Sequence, residues 1–305
     1  MTDRSSIDHP RFAVRGVLGR GVEGSVYEAL DRDAGELVAL KRVAPVDVPA
    51  FRKLFGRLGV VRHPGIVRIR ALHFDRDVPF FVMDRIHGVD FVTHVRKDVR
   101  AMPPPDVVRP TLPLAFGQPV QEGNRSAFRV GSESDGGRLR RAAAGLLDAL
   151  AALHAVGIVH GDLHPDNVRV GDDDRVTLVD FGLAHLVGDA RADGDGVAGT
   201  SAYMAPEAGD ASRIGTASDV YGAGVLFYEG LTGALPFTGS ADDVVRRKGS
   251  LPAPPPAFVV PSVPDDLDRL VTAMLERDPT RRPDAPRCLL ALGMQVSSMG
   301  DRNPR

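Results

Sequence analysis

The residues best suited to carry out chemistry lie in two stretches, His160-Gly161-Asp162-Leu163-His164-Pro165-Asp166-Asn167 and Asp180-Phe181-Gly182. The residues between them, 168–179, are apolar at alternate positions around a Gly-Asp-Asp-Asp turn, which predicts a β-hairpin. Such a hairpin would hold Asn167 at one base and Asp180 at the other, so that both oxygen ligands point into one cleft. Mg²⁺ prefers a few carboxylate or amide oxygens and takes its other ligands from water and substrate phosphates. Asp162 is then left to orient an attacking hydroxyl, an arrangement that phosphoryl transfer requires.

Composition and charge exclude several classes of protein. A chain of 305 residues can form one or two domains with a large core. The formal net charge of −2 gives no indication of a nucleic-acid partner or an acidic membrane surface. The one cysteine, Cys288, cannot form an internal disulfide, which favours a reducing cytosol. Residues 1–12 lack the apolar segment of a signal peptide, and no run approaches the roughly 20 apolar residues of a membrane helix. We therefore expect a cytoplasmic protein without a membrane span.

The first part of the chain has the features of a nucleotide-binding sheet. Residues 12–40 alternate apolar and polar side chains between glycine turns and predict three antiparallel strands. The first turn carries Gly19-Arg20-Gly21-Val22-Glu23-Gly24-Ser25-Val26. A Gly-x-Gly-x-x-Gly loop lets backbone N–H groups approach phosphates, but alone it also fits a simple tight hairpin. Its place between two strands argues against a dinucleotide-binding fold. Val38-Ala39-Leu40-Lys41 then ends the third strand on a lysine at the spacing expected of a phosphate-binding residue.

This order of motifs resembles the eukaryotic-like (Hanks-type) Ser/Thr protein kinases of bacteria, from Phe12 to about Leu292. Later fragments follow in the family's order: Gly199-Thr200, Ala205-Pro206-Glu207, Ser218-Asp219 at the start of a buried helix, and Asp278 to Pro283 with Arg282 as the partner of Glu207. The resemblance implies an α+β, bilobal protein-kinase-like fold. A small antiparallel sheet with one helix would form the first lobe, and the second lobe would be mainly helical. We expect a polar lead at 1–11, the ATP-binding lobe at 12–86, the second lobe at 87–295 and a tail at 296–305.

The resemblance also implies a role for each matched residue. Lys41 would hold the α and β phosphates of ATP, and Asp162 would orient the substrate hydroxyl and accept its proton. Asn167 and Asp180 would bind Mg²⁺, and Thr200 would support Asp162 and the incoming peptide. The other nucleotide contacts would come from the glycine loop, the sheet and the hinge: Gly19, Arg20, Gly21, Gly24, Val26, Ala39, Met83, Asp84 and Ile86.

The implied function is transfer of the γ-phosphate of ATP to Ser or Thr hydroxyls of protein substrates. His164 stands where the family's Lys contacts the transferred phosphate, and it could replace that Lys when protonated or as a neutral donor. His-Gly-Asp-Leu-His-Pro also resembles the loop of aminoglycoside-type small-molecule phosphotransferases. Against that alternative stand the second-lobe motifs around Glu207, Asp219 and Arg282.

The largest departure from the family concerns the helix after the third strand. The Glu that pairs with the strand Lys is replaced by Leu54, and residues 37–121 contain no Glu. Glu23 and Asp47 are candidate substitutes, although simple packing of Leu54 with loss of the pair is favoured. Because an unaligned lysine lowers the rate, a pseudokinase that binds ATP as a scaffold is the competing hypothesis.

A second departure concerns regulation. Gly161 replaces the family's Arg that receives an activating phosphate, and residues 183–199 contain no Ser, Thr or Tyr. A chain that lacks both a hydroxyl to accept the phosphate and the Arg to bind it has no use for activation by phosphorylation of this segment. We therefore expect activity that does not depend on phosphorylation of that segment, while Thr200 stays available as an acceptor.

The remaining elements follow from apolar spacing. Helices are predicted over residues 48–61 and 138–156, and strands over 66–72 and 78–83. Residues 99–137 are rich in Pro, Gly and Ser and predict an extended or poorly ordered insert. An inert surface loop and a docking site for further domains or partners are both open for this insert.

Overall fold

The computed structural model describes residues 7–21, 24–42, 48–75, 78–96, 133–187, 201–210 and 213–296. They form a sheet-containing first lobe and a helical second lobe. The fold class is therefore the predicted α+β, bilobal one.

A five-stranded antiparallel sheet forms the first lobe, in the order β1-β2-β3-β5-β4. Its strands are β1 (Phe12–Gly21), β2 (Gly24–Asp31), β3 (Glu36–Arg42), β4 (Ile69–Asp75) and β5 (Val78–Asp84). Because side chains alternate along a strand, the register that pairs Ala39 with Met83 places both on one face, together with Lys41. Leu40 and Val82 point to the other face, into a separate apolar cluster. The alternation thus directs Lys41 towards the second lobe.

The helix of the first lobe, α1 (Val48–Leu58), packs on that same face of the sheet. Its Phe55 ring stacks on Phe81 of β5, with ring centroids 5.7 Å apart. Leu54 and Leu58 are buried in the main core. Arg57 donates a hydrogen bond to the carbonyl of Val156 in the second lobe at 3.1 Å. Apolar packing and this bond therefore hold α1 in place.

The second lobe is built around two long helices, α3 (Glu133–Ala155) and α4 (Thr216–Thr232), and its described residues form five shorter helices around them. These are α2 (Phe91–Val95), α5 (Ala241–Ser250), α6 (Pro256–Val259), α7 (Asp265–Met274) and α8 (Ala285–Ala291). Leu146, Leu150 and Leu153 of α3 are fully buried, as their spacing predicts. Thirteen of the 17 residues of α4 are buried, so α4 is the central support of the lobe.

Short strands in the second lobe carry the loops that matter for chemistry. They are β6 (Val89–Asp90), β7 (Ile158–Val159), β8 (Val168–Val170), β9 (Val176–Leu178) and β10 (His185–Leu186). β8 and β9 form the predicted hairpin, with Val168 opposite Leu178. β7 pairs with β10. The hairpin and this pair bring the segments before and after Asp180 together.

The predicted polar lead is wrong for residues 7–11. Ile7 is 4% exposed and joins the apolar cluster that contains Phe12. The backbone N–H of Asp8 donates to Asp75 at 3.1 Å, and Arg11 makes two hydrogen bonds to Asp31. One apolar residue in a polar stretch is a weak sequence signal, so only the tertiary structure shows that this segment belongs to the first lobe.

Several predicted boundaries also shift. The helix predicted over 48–61 ends at Leu58, and the strand predicted from residue 66 begins at Ile69. The helix predicted from residue 138 begins at Glu133, so residues 133–137 are helical and do not belong to the predicted insert. Residues 99–132 of the insert lie outside the described residues. No helix in the described ranges is both long and apolar enough to cross a membrane.

Candidate active site

The side chain of Asp219 in α4 anchors the loop that precedes Asp162. Asp219 accepts hydrogen bonds from the backbone N–H groups of His160 and Gly161, both at 2.8 Å, and lies 2.9 Å from Nε2 of His154. Burial disfavours the Asp219 carboxylate, but the bond and charge of His154 and the backbone donor lower its pKa below the ordinary value. Asp219 therefore stays ionised and fixes the loop.

Gly161 adopts a backbone conformation that a larger residue could not easily share. Its φ angle is +77°, and a Cβ atom there would lie 3.0 Å from the carbonyl oxygen of Leu183. Left-handed backbone favours glycine. The position where the family has an Arg is therefore closed to such a side chain in this conformation. This agrees with the expectation of phosphorylation-independent activity, which stays a prediction.

Asp162 and Asn167 are held together within the loop. Nδ2 of Asn167 donates to the backbone carbonyl of Asp162 at 2.8 Å and to its carboxylate at 3.0 Å. These bonds direct the amide oxygen of Asn167 away from Asp162. Leu163 is buried, and a Cβ atom added to Gly222 of α4 would lie 3.0 Å from its Cβ. Because Leu163 lies this close to Gly222, the distance between the loop and α4 is fixed.

Asp180 lies opposite this pair and bonds to Lys41. Its φ angle is +64°, an uncommon value that Asp tolerates, and its Oδ1 accepts the N–H of Gly182 at 3.0 Å. The backbone N–H of Val179 donates to the carbonyl of Asn167 at 3.0 Å, which brings the two expected metal ligands to neighbouring positions. Lys41 is buried and donates from Nζ to Asp180. Lys41 of the first lobe and Asp180 of the second lobe thus form an ion pair between the lobes.

His160 and Phe181 support this arrangement from the interior. Nε2 of His160 donates to the carbonyl of Val179 at 3.1 Å, and Nδ1 accepts the N–H of Asp162 at 3.4 Å. The Phe181 ring packs on the imidazole, with centroids 5.1 Å apart. His160 is fully buried. It therefore positions Asp162 and the residue before Asp180 without contact with solvent.

His164 lies at the edge of the site, with Nε2 3.5 Å from Oδ2 of Asp162. Burial opposes its charged form, but the hydrogen bond and charge of Asp162, with Asp166 and Asp180, outweigh burial and raise the pKa of His164 above 6.5. The side chain is 23% exposed. His164 is thus placed to present a proton or positive charge beside Asp162.

Most of the residues expected to contact the nucleotide lie in the strands of the first lobe. Gly21 pairs with Gly24 across the β1–β2 turn, and Val26 pairs with Lys41. Ala39 and Met83 are buried on the face towards the second lobe. Among the other predicted contacts, Gly19 and Arg20 lie in β1, Asp84 ends β5, and Ile86 packs against the main core.

Four residues with a predicted role need a remark on their position: Asp84, Thr200, Glu23 and Asp47. The Asp84 carboxylate bonds to Arg70 at 2.5 Å, so a contact with a nucleotide would come from the Asp84 backbone. Thr200, Glu23 and Asp47 lie outside the described residues. Their predicted contributions therefore stay predictions.

Sequence reasoning missed several residues that hold the site. His154 at the end of α3 is a third partner of Asp219. Tyr203 donates to Glu229 of α4 at 2.6 Å, and Lys248 of α5 bonds to the backbone of residues 201–204. A lysine on a polar helix looks like a solvated surface residue, so the sequence contains no signal for its burial.

The comparisons with known proteins agree with this geometry. A family profile described as "Protein kinase domain" matches residues 12–291. The chain belongs to the protein kinase family. This kinase domain is similar to serine/threonine-protein kinase PkaA of Streptomyces coelicolor, with 32% identity over 318 residues that cover 95% of the chain and 50% of that protein.

Two further relatives agree with the family assignment. Serine/threonine-protein kinase PknL of Mycobacterium tuberculosis is 34% identical over 306 residues, which cover 97% of the kinase domain and 67% of PknL. Probable serine/threonine-protein kinase PkwA of Thermomonospora curvata is 42% identical over 158 residues, 52% of this chain and 21% of its own. The chain thus spans about half the length of PkaA and matches about a fifth of the length of PkwA.

Protein kinases use ATP and a divalent metal ion, and the oxygen donors of this kinase domain fit such an ion. Asn167 keeps its amide oxygen available because its NH₂ group is bonded to Asp162. Asp180 adds a carboxylate beside it. Carboxylate and amide oxygens are the ligands that a hard divalent cation requires.

Proposed function

We propose that this protein kinase transfers the γ-phosphate of ATP to Ser or Thr hydroxyls of protein substrates, with Mg²⁺ as the metal ion. One observation carries the proposal. Asp162 and Asn167 of one motif, Asp180 of a second and Lys41 of a third are linked across the two lobes by hydrogen bonds, with Val179 connecting Asn167 to Asp180. The match to Ser/Thr kinases along nearly the whole chain supports the substrate class.

The residues of the chain have separate tasks in this reaction. Asp162, whose carboxylate is bonded to Asn167 and which lines the cavity beside Tyr203 and Met204, orients the hydroxyl group and accepts its proton. Lys41 holds the phosphates, and Asp180 with Asn167 would hold Mg²⁺. The metal ion, when bound, neutralises phosphate charge. His164, whose pKa is raised by Asp162 against the effect of burial, is placed to donate a proton or a hydrogen bond near the transferred group.

The same proposal covers the partners of the protein and its location in the cell. Protein substrates and ATP are the partners, and the formal net charge of −2 supports a function without nucleic acid. A cytoplasmic location agrees with the single cysteine, Cys288, which is buried and whose pKa is raised by burial to about 12. Docking of other domains through the insert is a proposal that rests on composition alone.

Phosphate transfer from labelled ATP with Mg²⁺ tests the proposed function directly. We expect incorporation into the protein itself and into a general substrate such as casein, with the label recovered on Ser and Thr. Asp180→Ala should abolish incorporation, because it removes a metal ligand and the bonding partner of Lys41. Thermal stabilisation by MgATP without incorporation would favour the scaffold function instead.

Substitution of Leu54 by Glu tests whether the missing carboxylate limits the rate. Lys41 already bonds to Asp180, so we expect the turnover number to change by less than about tenfold, well below the roughly 10²-fold cost of a misplaced catalytic group. Leu54→Gln is the matched control, because it changes the buried packing without a charge. A larger gain with Glu, absent with Gln, would show that the pair is limiting and would support the pseudokinase hypothesis.

A further inference from the structure

The buried lysine Lys248 has no role in the mechanism above. It lies in the last turn of α5, a helix whose only buried residues are Val244 and Lys248. Lys248 is 2% exposed. Since lysine is almost never fully buried without a partner, its position requires an explanation.

The ammonium group of Lys248 is bonded to three carbonyl oxygens of one loop. Nζ donates to Ser201 and Met204 at 2.8 Å each and to Ala202 at 2.5 Å. An ammonium group has three protons and no acceptor site, so three carbonyls satisfy it completely. Within the part of the chain that the structure describes, no carboxylate lies within ion-pair distance of Nζ. The bonded partner is therefore the loop backbone.

An aromatic ring completes the surroundings of the ammonium group. Nζ lies 5.6 Å from the ring centroid of Tyr221 in α4, and the guanidinium carbon of Arg282 lies 4.9 Å from the same centroid. Both distances are within the range of a cation–π contact. Lys248 thus connects α5, the loop and the central helix α4.

The loop at residues 201–204 borders the catalytic group. A cavity beside Asp162 is lined on one side by Tyr203, Met204 and Ala205 and on the other by Gly161 and Leu163. Tyr203 and Met204 of the loop that Lys248 holds therefore lie beside Asp162.

We propose that Lys248 is a positioning residue for the protein substrate, whose ammonium group fixes the loop at residues 201–204 beside Asp162. This inference rests on the protein-kinase activity proposed above. A purely structural role makes a different prediction, because it would change the stability of the protein without raising the peptide KM relative to the KM for ATP. The two roles are therefore separable by substitution.

The charge state of Lys248 should make the peptide KM depend on pH, which a role in packing alone would not do. Burial lowers its pKa to about 7, so the form with three donors prevails below that pH and one donor is lost as the pH rises through it. The neighbouring groups do not change charge with it: burial keeps the phenol of Tyr221 neutral, and Glu207 is paired with Arg282. Arg277, which donates to the carbonyl of Gly249 at the end of α5, stays charged.

Lys248→Met is the decisive variant, with Arg246→Met on the exposed side of α5 as its matched control. We expect the peptide KM of Lys248→Met to rise about tenfold or more, since charged hydrogen bonds are lost, with the KM for ATP unchanged. Arg246→Met should match the parent. Lys248→Arg should recover part of the peptide KM and remove its increase above pH 7. An unchanged peptide KM in Lys248→Met, or parallel pH profiles of the parent and Lys248→Arg, would overturn the proposal.

Limited proteolysis separates this inference from the proposed function. Chymotrypsin cleavage after Tyr203, detected as a fragment that begins at Met204, reports the order of the loop without any catalysis. If the loop is anchored by Lys248, cleavage is several-fold faster in Lys248→Met than in Arg246→Met at a temperature well below the melting temperatures of both variants. Equal cleavage rates overturn the anchor, whereas a parent that transfers no phosphate overturns the proposed function. Should Lys248→Met not fold, Lys248→Gln keeps two donors without charge and takes its place in both measurements.

Discussion

Replacement of Asp162 by Asn should lower the rate of phosphate transfer by about 10³-fold, within the range for loss of a general base. The side chain is only 11% exposed and is held by the amide of Asn167, so no solvent base can take its place easily. Asn has nearly the same shape but cannot accept the proton. Initial rates with labelled ATP and a Ser/Thr peptide measure this effect, and thermal stabilisation by MgATP should be unchanged.

Asp166→Asn is the matched control for this prediction. Asp166 belongs to the same loop, but its side chain is 85% exposed. We expect its rate to stay within a few-fold of the parent, as surface substitutions usually have small effects. An Asp162→Asn variant that keeps more than a tenth of the parent rate would show that another group accepts the proton. The proposed task of Asp162 would then be wrong.

Replacement of Arg282 by Leu should lower the free energy of unfolding by about 3–5 kcal/mol, the cost of leaving one partner of a buried ion pair behind. The side chains of Arg282 and Glu207 are 0% and 1% exposed and are joined by two hydrogen bonds of 2.6 and 2.7 Å. Arg282 also donates to the carbonyls of Ala217, Glu276 and Arg277. Leu leaves all these acceptors buried without their donor. Chemical denaturation measures the change.

Arg287→Leu provides the matched control, because Arg287 is 76% exposed and lies 4.0 Å from Asp284. An exposed pair of this kind contributes at most about 1 kcal/mol. The double variant Glu207→Leu/Arg282→Leu should recover part of the loss, since no isolated carboxylate stays buried. Equal losses for Arg282→Leu and Arg287→Leu would contradict the prediction.

The pH dependence of stability should change sign between the parent and Arg282→Leu. Burial raises the pKa of Glu207, but the bond and charge of Arg282, with Ser218, outweigh it and hold the pKa below 4.5. In the parent, this contribution to stability is present above pH 4.5 and is lost as the pH falls through the lowered pKa. Without Arg282, burial dominates and raises the pKa, so the contribution is present below pH 4.5 and is lost as the pH rises. Unfolding measured from pH 4 to 7 in both proteins tests this difference.

The sequence by itself determined the fold class and predicted the candidate catalytic residues. Regular spacing carried this information: the alternation of residues 12–40 predicted the strands, and the short hairpin between Asn167 and Asp180 placed both at its base. The strands and the hairpin depend on residues only a few positions apart in the sequence. The order of the motifs along the chain then related these elements to one family. Leu54 was predicted to pack without a charged partner, and it is buried in the main core.

Only the tertiary structure decided which distant groups meet. The bond of Lys41 to Asp180 joins residues 139 positions apart, and the bonds of Lys248 to residues 201–204 join a polar helix to a loop. Ile7 contributes to the first lobe for the same reason, although its neighbours in sequence are polar. Burial of a charged or isolated apolar side chain depends on what packs over it from elsewhere in the chain. Such contacts have no period in the sequence, so they become visible only when the two lobes are assembled.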